Sequence, residues 1–265
     1  MSAPAEGPPE PPAGIALILR SALFQLAYHL WLVAIGLVLL PAFLLPRRAL
    51  YAGGRLWVRG ILFLLEHLCG LTWEVRGRDR LPAEGGLLIA SKHQSAWDTL
   101  VFPLLVRDPA YVLKRELLLV PFFGWIMWRL RMIAVDRKGG AAALRRMLAA
   151  ARRIVGRERR PLVIYPEGTR TAPGDSRPYH PGVAALYGEL GVPVVPVALN
   201  SGLYWPRQSF LRRPGRIVLE FLEPIPPGLP RRQFLAELEA RIEPASRRLL
   251  AEGRAATAGR TKDER

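Results

Sequence analysis

The feature that most constrains this chain is a stretch without formal charge from Ser21 to Pro46, taking His29 as neutral. It contains the runs Leu30-Trp31-Leu32-Val33-Ala34-Ile35 and Gly36-Leu37-Val38-Leu39-Leu40. A helix of about 20 apolar residues crosses a bilayer, so the stretch is long enough to do so. It fits a cleavable signal peptide poorly, because the leading region lacks charge, the apolar core is too long and no small-residue cleavage site follows. Arg20 precedes it, whereas Arg47, Arg48, Arg55 and Arg59 follow. That asymmetry predicts the remainder of the chain on the cytoplasmic side of a membrane. A second apolar stretch, Ile61 to Leu71, carries Glu66 and His67 and would span poorly. It suits an interfacial helix or the return arm of a hairpin inserted into one leaflet.

The remaining composition is that of a soluble fold joined to this anchor. Hydrophobic residues make up 50% of the 265, close to the globular average, but they crowd into the first seventy or so positions. Met1 to Gly14 holds five prolines, two glutamates and no basic residue, and reads as a disordered tail. The formal charge of +16 favours anionic partners such as a lipid headgroup surface or phosphorylated substrates. Part of that excess reflects a general bias to Arg, Ala, Gly and Pro, since only Lys92, Lys114, Lys138 and Lys262 are lysines. The basic residues are scattered and carry no nucleic-acid motif, so no nucleic-acid partner is expected. With Cys69 alone, an intramolecular disulfide is impossible.

Beyond residue 72, short apolar runs read as buried strands: Gly86 to Ala90, Tyr111 to Leu113, Met132 to Val135, Leu162 to Tyr165, Val192 to Val197 and Ile217 to Phe221. Helical periodicity separates them. Leu144, Met147, Leu148, Ala151, Ile154 and Val155 share one face, and Phe234, Leu235, Leu238 and Ile242 share another. The alternation predicts an α/β fold, a mixed sheet flanked by helices, with an N-terminal hydrophobic helical anchor. The expected units are a tail over 1–14, anchoring helices over 15–71, the α/β domain over 72–250 and a disordered tail over 251–265.

Four segments carry chemistry. His93-Gln94-Ser95-Ala96-Trp97-Asp98 leaves the end of a strand, where such folds place reactive groups. On one helix His93 and Asp98 would point about 140° apart, so they meet only if His93 lies in the loop and Asp98 in the first turn of the next helix. Asp98 could then fix the imidazole tautomer and leave the other nitrogen as a base. A histidine there is also often merely structural. Tyr165-Pro166-Glu167-Gly168-Thr169-Arg170 forms a tight turn that could present Arg170 to an anion, or be a plain surface turn. Asp136-Arg137 ends a strand, and a guanidinium there suits phosphate. Val192-Pro193-Val194-Val195-Pro196-Val197 carries prolines that argue for an edge strand or a groove wall.

In this order the four segments resemble the sequence blocks of the glycerolipid acyltransferase family, in its bacterial 1-acylglycerol-3-phosphate acyltransferase branch. Arg137 lies 44 residues after His93, Glu167 lies 30 after Arg137, and Pro196 lies 29 after Glu167. The resemblance runs from about Leu87 to Leu199 and rests chiefly on the first and third blocks. It implies that His93 is the general base and Asp98 its partner. It also implies that Glu167, Gly168, Thr169 and Arg170 bind glycerophosphate, that Arg137 contacts phosphate, and that Pro196 belongs to the fourth block. This chain departs from the pattern at Lys92, where Asn is usual, and at Arg131, where Gly is usual. Tyr165 stands where Phe is commoner, and Thr171 where Ser is common. Lys92, beside the base, would favour anionic ligands, so it and Pro196 are candidate groove residues.

The implied reaction moves an acyl group from acyl-CoA or acyl-carrier protein to the 2-hydroxyl of lysophosphatidate, with no metal or organic cofactor. Within the family the acceptor could instead be glycerol-3-phosphate, another lysophospholipid or a lyso-ornithine lipid. A hydrolase would use His93 and Asp98 in a serine triad, yet no G-x-S-x-G elbow occurs. A non-enzymatic membrane binder would have no reason to hold four ordered blocks. His29, His67, His93 and His180 show no metal-ligand spacing. The expected place is a bacterial cytoplasmic membrane, with the catalytic domain on its cytoplasmic side. If the uncharged stretch is an anchor, the protein pellets with membranes and resists high-salt extraction; release by salt alone would refute this.

Overall fold

The computed structural model describes residues 14–39, 46–82 and 86–263. The expected N-terminal tail therefore lies, save for Gly14, outside the described residues. Two long helices come first, α1 (Ile15–Leu39) and α2 (Arg47–Cys69). Contacts pair their ends in reverse. Leu39 lies against Gly53, Trp31 against Gly60, and the Cys69 thiol points at the Arg20 carbonyl. The second apolar stretch is thus the return arm of a helical hairpin. It ends at Gly70, whose left-handed φ of 63° lets the chain turn out of the helix. Among the described residues α1 is the one helix long and apolar enough to cross a membrane, with a mean hydropathy of 1.9 over its most apolar window.

Seven strands follow in one sheet of order β1-β7-β6-β2-β5-β3-β4. They are β1 (Leu71–Arg76), β2 (Leu88–Ser91), β3 (Ala110–Lys114), β4 (Ile133–Val135), β5 (Leu162–Ile164), β6 (Val194–Leu199) and β7 (Gly215–Phe221). The β6–β7 pair is antiparallel and the other pairs are parallel, so the sheet is mixed as expected. The central strands read as continuous apolar runs because both faces are covered. Leu88, Ala90, Leu162 and Ile164 pack under α5 (Gly140–Ala151), α6 (Pro181–Leu190) and α7 (Arg231–Asp263). Their alternates Ile89 and Val163 pack under α1, α2 and α3 (Trp97–Leu105).

Three expectations change. Leu71–Arg76 was not among the anticipated strands, yet it forms the sheet edge against β7. Its apolar residues Leu71, Trp73 and Val75 alternate with Thr72, Glu74 and Arg76, the pattern of a half-covered edge rather than a buried run. Pro196 lies in an interior strand, not at an edge or in a groove wall. It is tolerated because the β6–β7 ladder is broken there. The regular pairs start at Val197, Val194 bridges Ile225, and Pro196 offers only its carbonyl, to Leu222 N–H at 2.9 Å. Lastly, α7 continues to Asp263 through the segment expected to be a disordered tail. Glu252 there pairs with Arg76 at 2.7 Å and Arg248 at 2.8 Å, and Gly253 fits closely under the Tyr204 ring hydroxyl.

The hairpin depends on small residues at its contact face. A Cβ at Gly60 would meet the Trp31 ring at 2.3 Å, and Trp31 Nε1 donates to the Trp57 carbonyl at 3.0 Å. Gly60→Val should therefore push Trp31 outward and cost about 1–3 kcal/mol of stability, read as a lower melting temperature of the detergent-solubilised protein. An unchanged melt would show that α1 and α2 do not depend on this contact.

Candidate functional site

Ser91 ends β2, and the chain leaves the sheet through Lys92, His93 and Gln94 before α3 begins at Trp97. Trp97 is fully buried and fixes the start of the helix, and its N–H donates to Ser95 Oγ at 3.2 Å. His93 is therefore a loop residue and Asp98 sits in the first turn, the placement the spacing required. His93 Nδ1 lies 3.0 Å from Asp98 Oδ2. The same oxygen accepts the N–H groups of Gln94 at 2.6 Å and Ser95 at 2.8 Å. Asp98 Oδ1 accepts from Ser201 Oγ at 2.5 Å. The carboxylate therefore has donors on both oxygens, at the N-terminus of a helix. With Nδ1 engaged by Asp98, Nε2 is the ring nitrogen with no hydrogen-bond partner among the described residues, and His93 lines the cavity.

Tyr165 and Thr171 fix His93 further, both its backbone and its imidazole. The Tyr165 ring stacks on it with centroids 4.0 Å apart, and Tyr165 Oη donates to the Asp98 carbonyl at 3.0 Å. Burial pushes the Tyr165 phenol well above its usual range, so it stays a donor. The His93 carbonyl accepts the Thr171 N–H at 2.8 Å, and the His93 N–H points to Glu167 Oε2 at 3.3 Å.

Beneath the loop lies a buried ionic knot that the sequence did not suggest. Lys92 is 1% exposed. Its ammonium donates to Glu167 Oε1 at 2.8 Å, to the Asp175 carbonyl at 3.0 Å and to both oxygens of Glu243 at 2.9 Å. Thr171 Oγ1 donates to Glu167 at 2.8 Å and Tyr179 Oη to Glu243 at 2.9 Å. Burial raises the Glu167 carboxyl above its ordinary range, and Lys92 opposes that rise. Lys92 and Glu167 thus face inward and bind each other, and neither lines the cavity at His93, where a direct ligand contact was expected. Pro196, buried in β6, likewise touches no cavity.

A cavity of about 1330 Å³ opens at His93. One end is basic. Arg137, Gly168, Thr169 and Arg170 line it, joined by His180 and Arg207, which sequence reasoning missed. Arg137 Nη2 donates to the Gly168 carbonyl, and Arg207 Nη1 donates to the Arg170 carbonyl at 3.3 Å, so both guanidiniums lean on the same turn. Gly168 takes a left-handed φ of 66°, and a Cβ there would meet the His180 ring at 2.7 Å. The other end is apolar, walled by Leu37 and Leu39 of α1, Leu50 of α2, and Ile126 of α4 (Phe123–Arg129). Arg207, Ser201 and Glu243 escape sequence reasoning because each joins the site across the sheet; Ser201 is 103 residues from Asp98.

Residues 72–200 match the Acyltransferase family model. The chain is 38% identical over 161 residues to the 1-acyl-sn-glycerol-3-phosphate acyltransferase of Pseudomonas aeruginosa, covering 61% of this chain and 62% of that one. It is 33% identical over 164 residues to the human 1-acyl-sn-glycerol-3-phosphate acyltransferase beta, covering 61% and 58% respectively. The chain thus spans about three fifths of the length of these relatives. The crystal structure of the 1-acyl-sn-glycerophosphate acyltransferase of Thermotoga maritima superposes with a TM-score of 0.69 over 87% of this chain and 95% of that one. At 22% identity, that likeness establishes the fold.

A lysine gripping substrate and a lysine holding the fold respond differently to removal. Lys92→Met should cost about 3–5 kcal/mol of stability, because it strands buried carboxylates; thermal melting reads this. Lys92→Met combined with Glu167→Gln should recover part of the loss. A Lys92→Met protein with an unchanged melt but weakened anion binding would return Lys92 to a ligand-binding role.

Proposed function

Since the chain carries an Acyltransferase-family domain over residues 72–200, we propose that it transfers an acyl group from acyl-CoA or acyl-carrier protein to the 2-hydroxyl of 1-acylglycerol-3-phosphate, forming phosphatidate. The observation that carries this reading is the position of His93. His93 lines a cavity that is arginine-lined at one end and apolar at the other, with Nδ1 turned to Asp98. A lysophospholipid and an acyl thioester both need those two environments, with the reacting atoms where they meet.

In the proposed mechanism His93 Nε2 takes the proton of the acceptor hydroxyl as its oxygen attacks the thioester carbonyl. The C–S bond then breaks, and the imidazolium returns the proton to the departing thiolate. Asp98 keeps Nδ1 protonated at the start and offsets the imidazolium charge in the transition state. A hydroxyl is a poor nucleophile and a thioester is already activated, so general-base help of about 10²–10⁴ in rate is the main demand on the side chains. No metal or organic cofactor is part of this scheme. Arg137 and Arg170 neutralise the acceptor phosphate, and the Gly168–Thr169 turn shapes its seat. Lys92 and Glu167 act at one remove, by holding the loop and the turn together.

The proposed setting is the bacterial cytoplasmic membrane, with the catalytic domain on the cytoplasmic side. Three observations support it: the apolar α1, its extensively exposed apolar residues, and the arginines that open α2. A one-leaflet hairpin would return both of its ends to that side.

His93→Ala should lower kcat at least ~10²-fold with melting behaviour retained, and Asp98→Asn should be nearly as damaging. Wild-type turnover in His93→Ala would refute the assignment. Free fatty acid released without any acceptor would instead identify a hydrolase. Arg137→Ala and Arg170→Ala should each raise the acceptor KM about 10- to 100-fold, the equivalent of a charge-assisted contact, while sparing the donor KM. An unchanged acceptor KM would move the phosphate elsewhere.

A further inference from the structure

A second cavity, of about 910 Å³, opens where α2 begins and is separate from the His93 end of the groove. Arg47, Trp128, Arg129, Arg131 and Arg153 line it. Two acidic groups support these arginines from behind. Asp108 accepts from Arg47 at 2.9 Å and lies 3.2 Å from Arg160. Glu158 lies 3.1 Å from Arg131, 3.7 Å from Arg153 and 3.2 Å from Arg160. Arg47, Arg131, Arg153 and the buried Arg160 thus share two carboxylates, which leaves the cluster around the cavity with an excess of positive charge. Such a concentration repels itself unless an anion is shared among its members.

Arg131 makes the arrangement specific. It adopts a left-handed φ of 57°, a conformation that favours glycine, yet its guanidinium is more than half exposed at the cavity. Asp108, with φ of 53°, is in the same region of backbone space. Trp128 lines the cavity and is 63% exposed, and the same short helix, α4, also exposes Trp125 and, just before its start, Phe122. The exposed apolar Leu37 and Val38 close α1 near by. Aromatic side chains beside clustered arginines fit the boundary between acyl chains and headgroups.

We propose that this cavity holds the phosphodiester headgroup of an anionic phospholipid of the surrounding bilayer, with its chains lying along the Phe122–Trp128 rim. The lipid is a docking contact and not the acceptor, since Arg131 and Arg153 do not line the His93 cavity. The inference rests on charge and exposure and stands apart from the acyl-transfer reading. A nucleotide of the acyl donor is the less favoured occupant, because the apolar half of the groove lies between this cavity and His93.

The test uses the full-length protein in dodecylmaltoside, titrated calorimetrically with dihexanoyl-phosphatidylglycerol, dihexanoyl-phosphatidylcholine, inorganic phosphate and coenzyme A. Saturable binding of the phosphatidylglycerol with none of the phosphatidylcholine is the expected result. Arg131→Gly, which suits the left-handed backbone, and Arg153→Gln should each weaken it about fivefold, as for one surface arginine at an anionic leaflet. Arg170→Ala should leave it intact, and Arg131→Gly should retain turnover on detergent-dispersed substrate. Equal affinity for the two lipids, or binding insensitive to Arg131→Gly, would overturn the proposal. So would binding lost in Arg170→Ala, which places the lipid at the basic end of the His93 cavity. Inorganic phosphate binding as well as the lipid would make this a general anion site. Coenzyme A binding that is tighter and sensitive to Arg131→Gly would assign the cavity to a nucleotide.

Discussion

The buried contact between Lys92 and its two carboxylates, Glu167 and Glu243, ties together three parts of the chain that the sheet alone would leave independent. Lys92 belongs to the loop after β2, Glu167 to the turn after β5, and Glu243 to α7. An isolated ammonium in such a place would be costly, but all three of its N–H groups meet oxygen, so it is fully satisfied. The knot transmits rigidity outward. Glu167 also receives the His93 N–H, and the same turn presents Gly168 and Arg170 to the cavity. The geometry of His93 and that of the arginine-lined end are set by one buried cluster.

A second consequence is a division of labour among charges. Of the charged residues in the four segments, the buried ones pair with other parts of the chain and the less buried arginines line the cavity. Asp98 lies between these cases: fully buried, it accepts three backbone or hydroxyl donors besides the imidazole. A side chain held by so many donors can orient His93 without moving. The hairpin adds the complementary element, an apolar wall from α1 and α2 that joins the domain at Leu50 and Phe24 and closes one side of the groove.

Much of this was legible in the chain. The uncharged stretch from Ser21 dictated a long apolar helix, observed through Leu39, with residues 40–45 of the stretch outside the described residues. Strand runs two or three residues either side of their observed limits declared a covered sheet, and the five-residue interval from His93 to Asp98 already required a loop followed by a helix start. These are local properties. Each depends on periodicity, on charge within one segment or on the reach of neighbouring residues, all of which survive in one dimension.

Direction and depth were decided only by folding. Lys92 and Glu167 look alike in sequence to Arg137 and Arg170, charged residues beside ordered motifs, yet the first pair faces the core and the second the cavity. The distinction depends on Glu243, 151 residues away from Lys92, and no local pattern reports that α7 will cross beneath the loop. Pro196 is similar, since a proline says edge unless the neighbouring ladder happens to break beside it. The amphipathic β1 was missed for the related reason that its partner β7 lies far along the chain. What the sequence determined alone was which segments form helices, strands and reactive loops, because those follow from short-range physics. Which charges meet each other and which meet a ligand was settled by contacts between distant segments, whose energies exist only once the sheet has assembled.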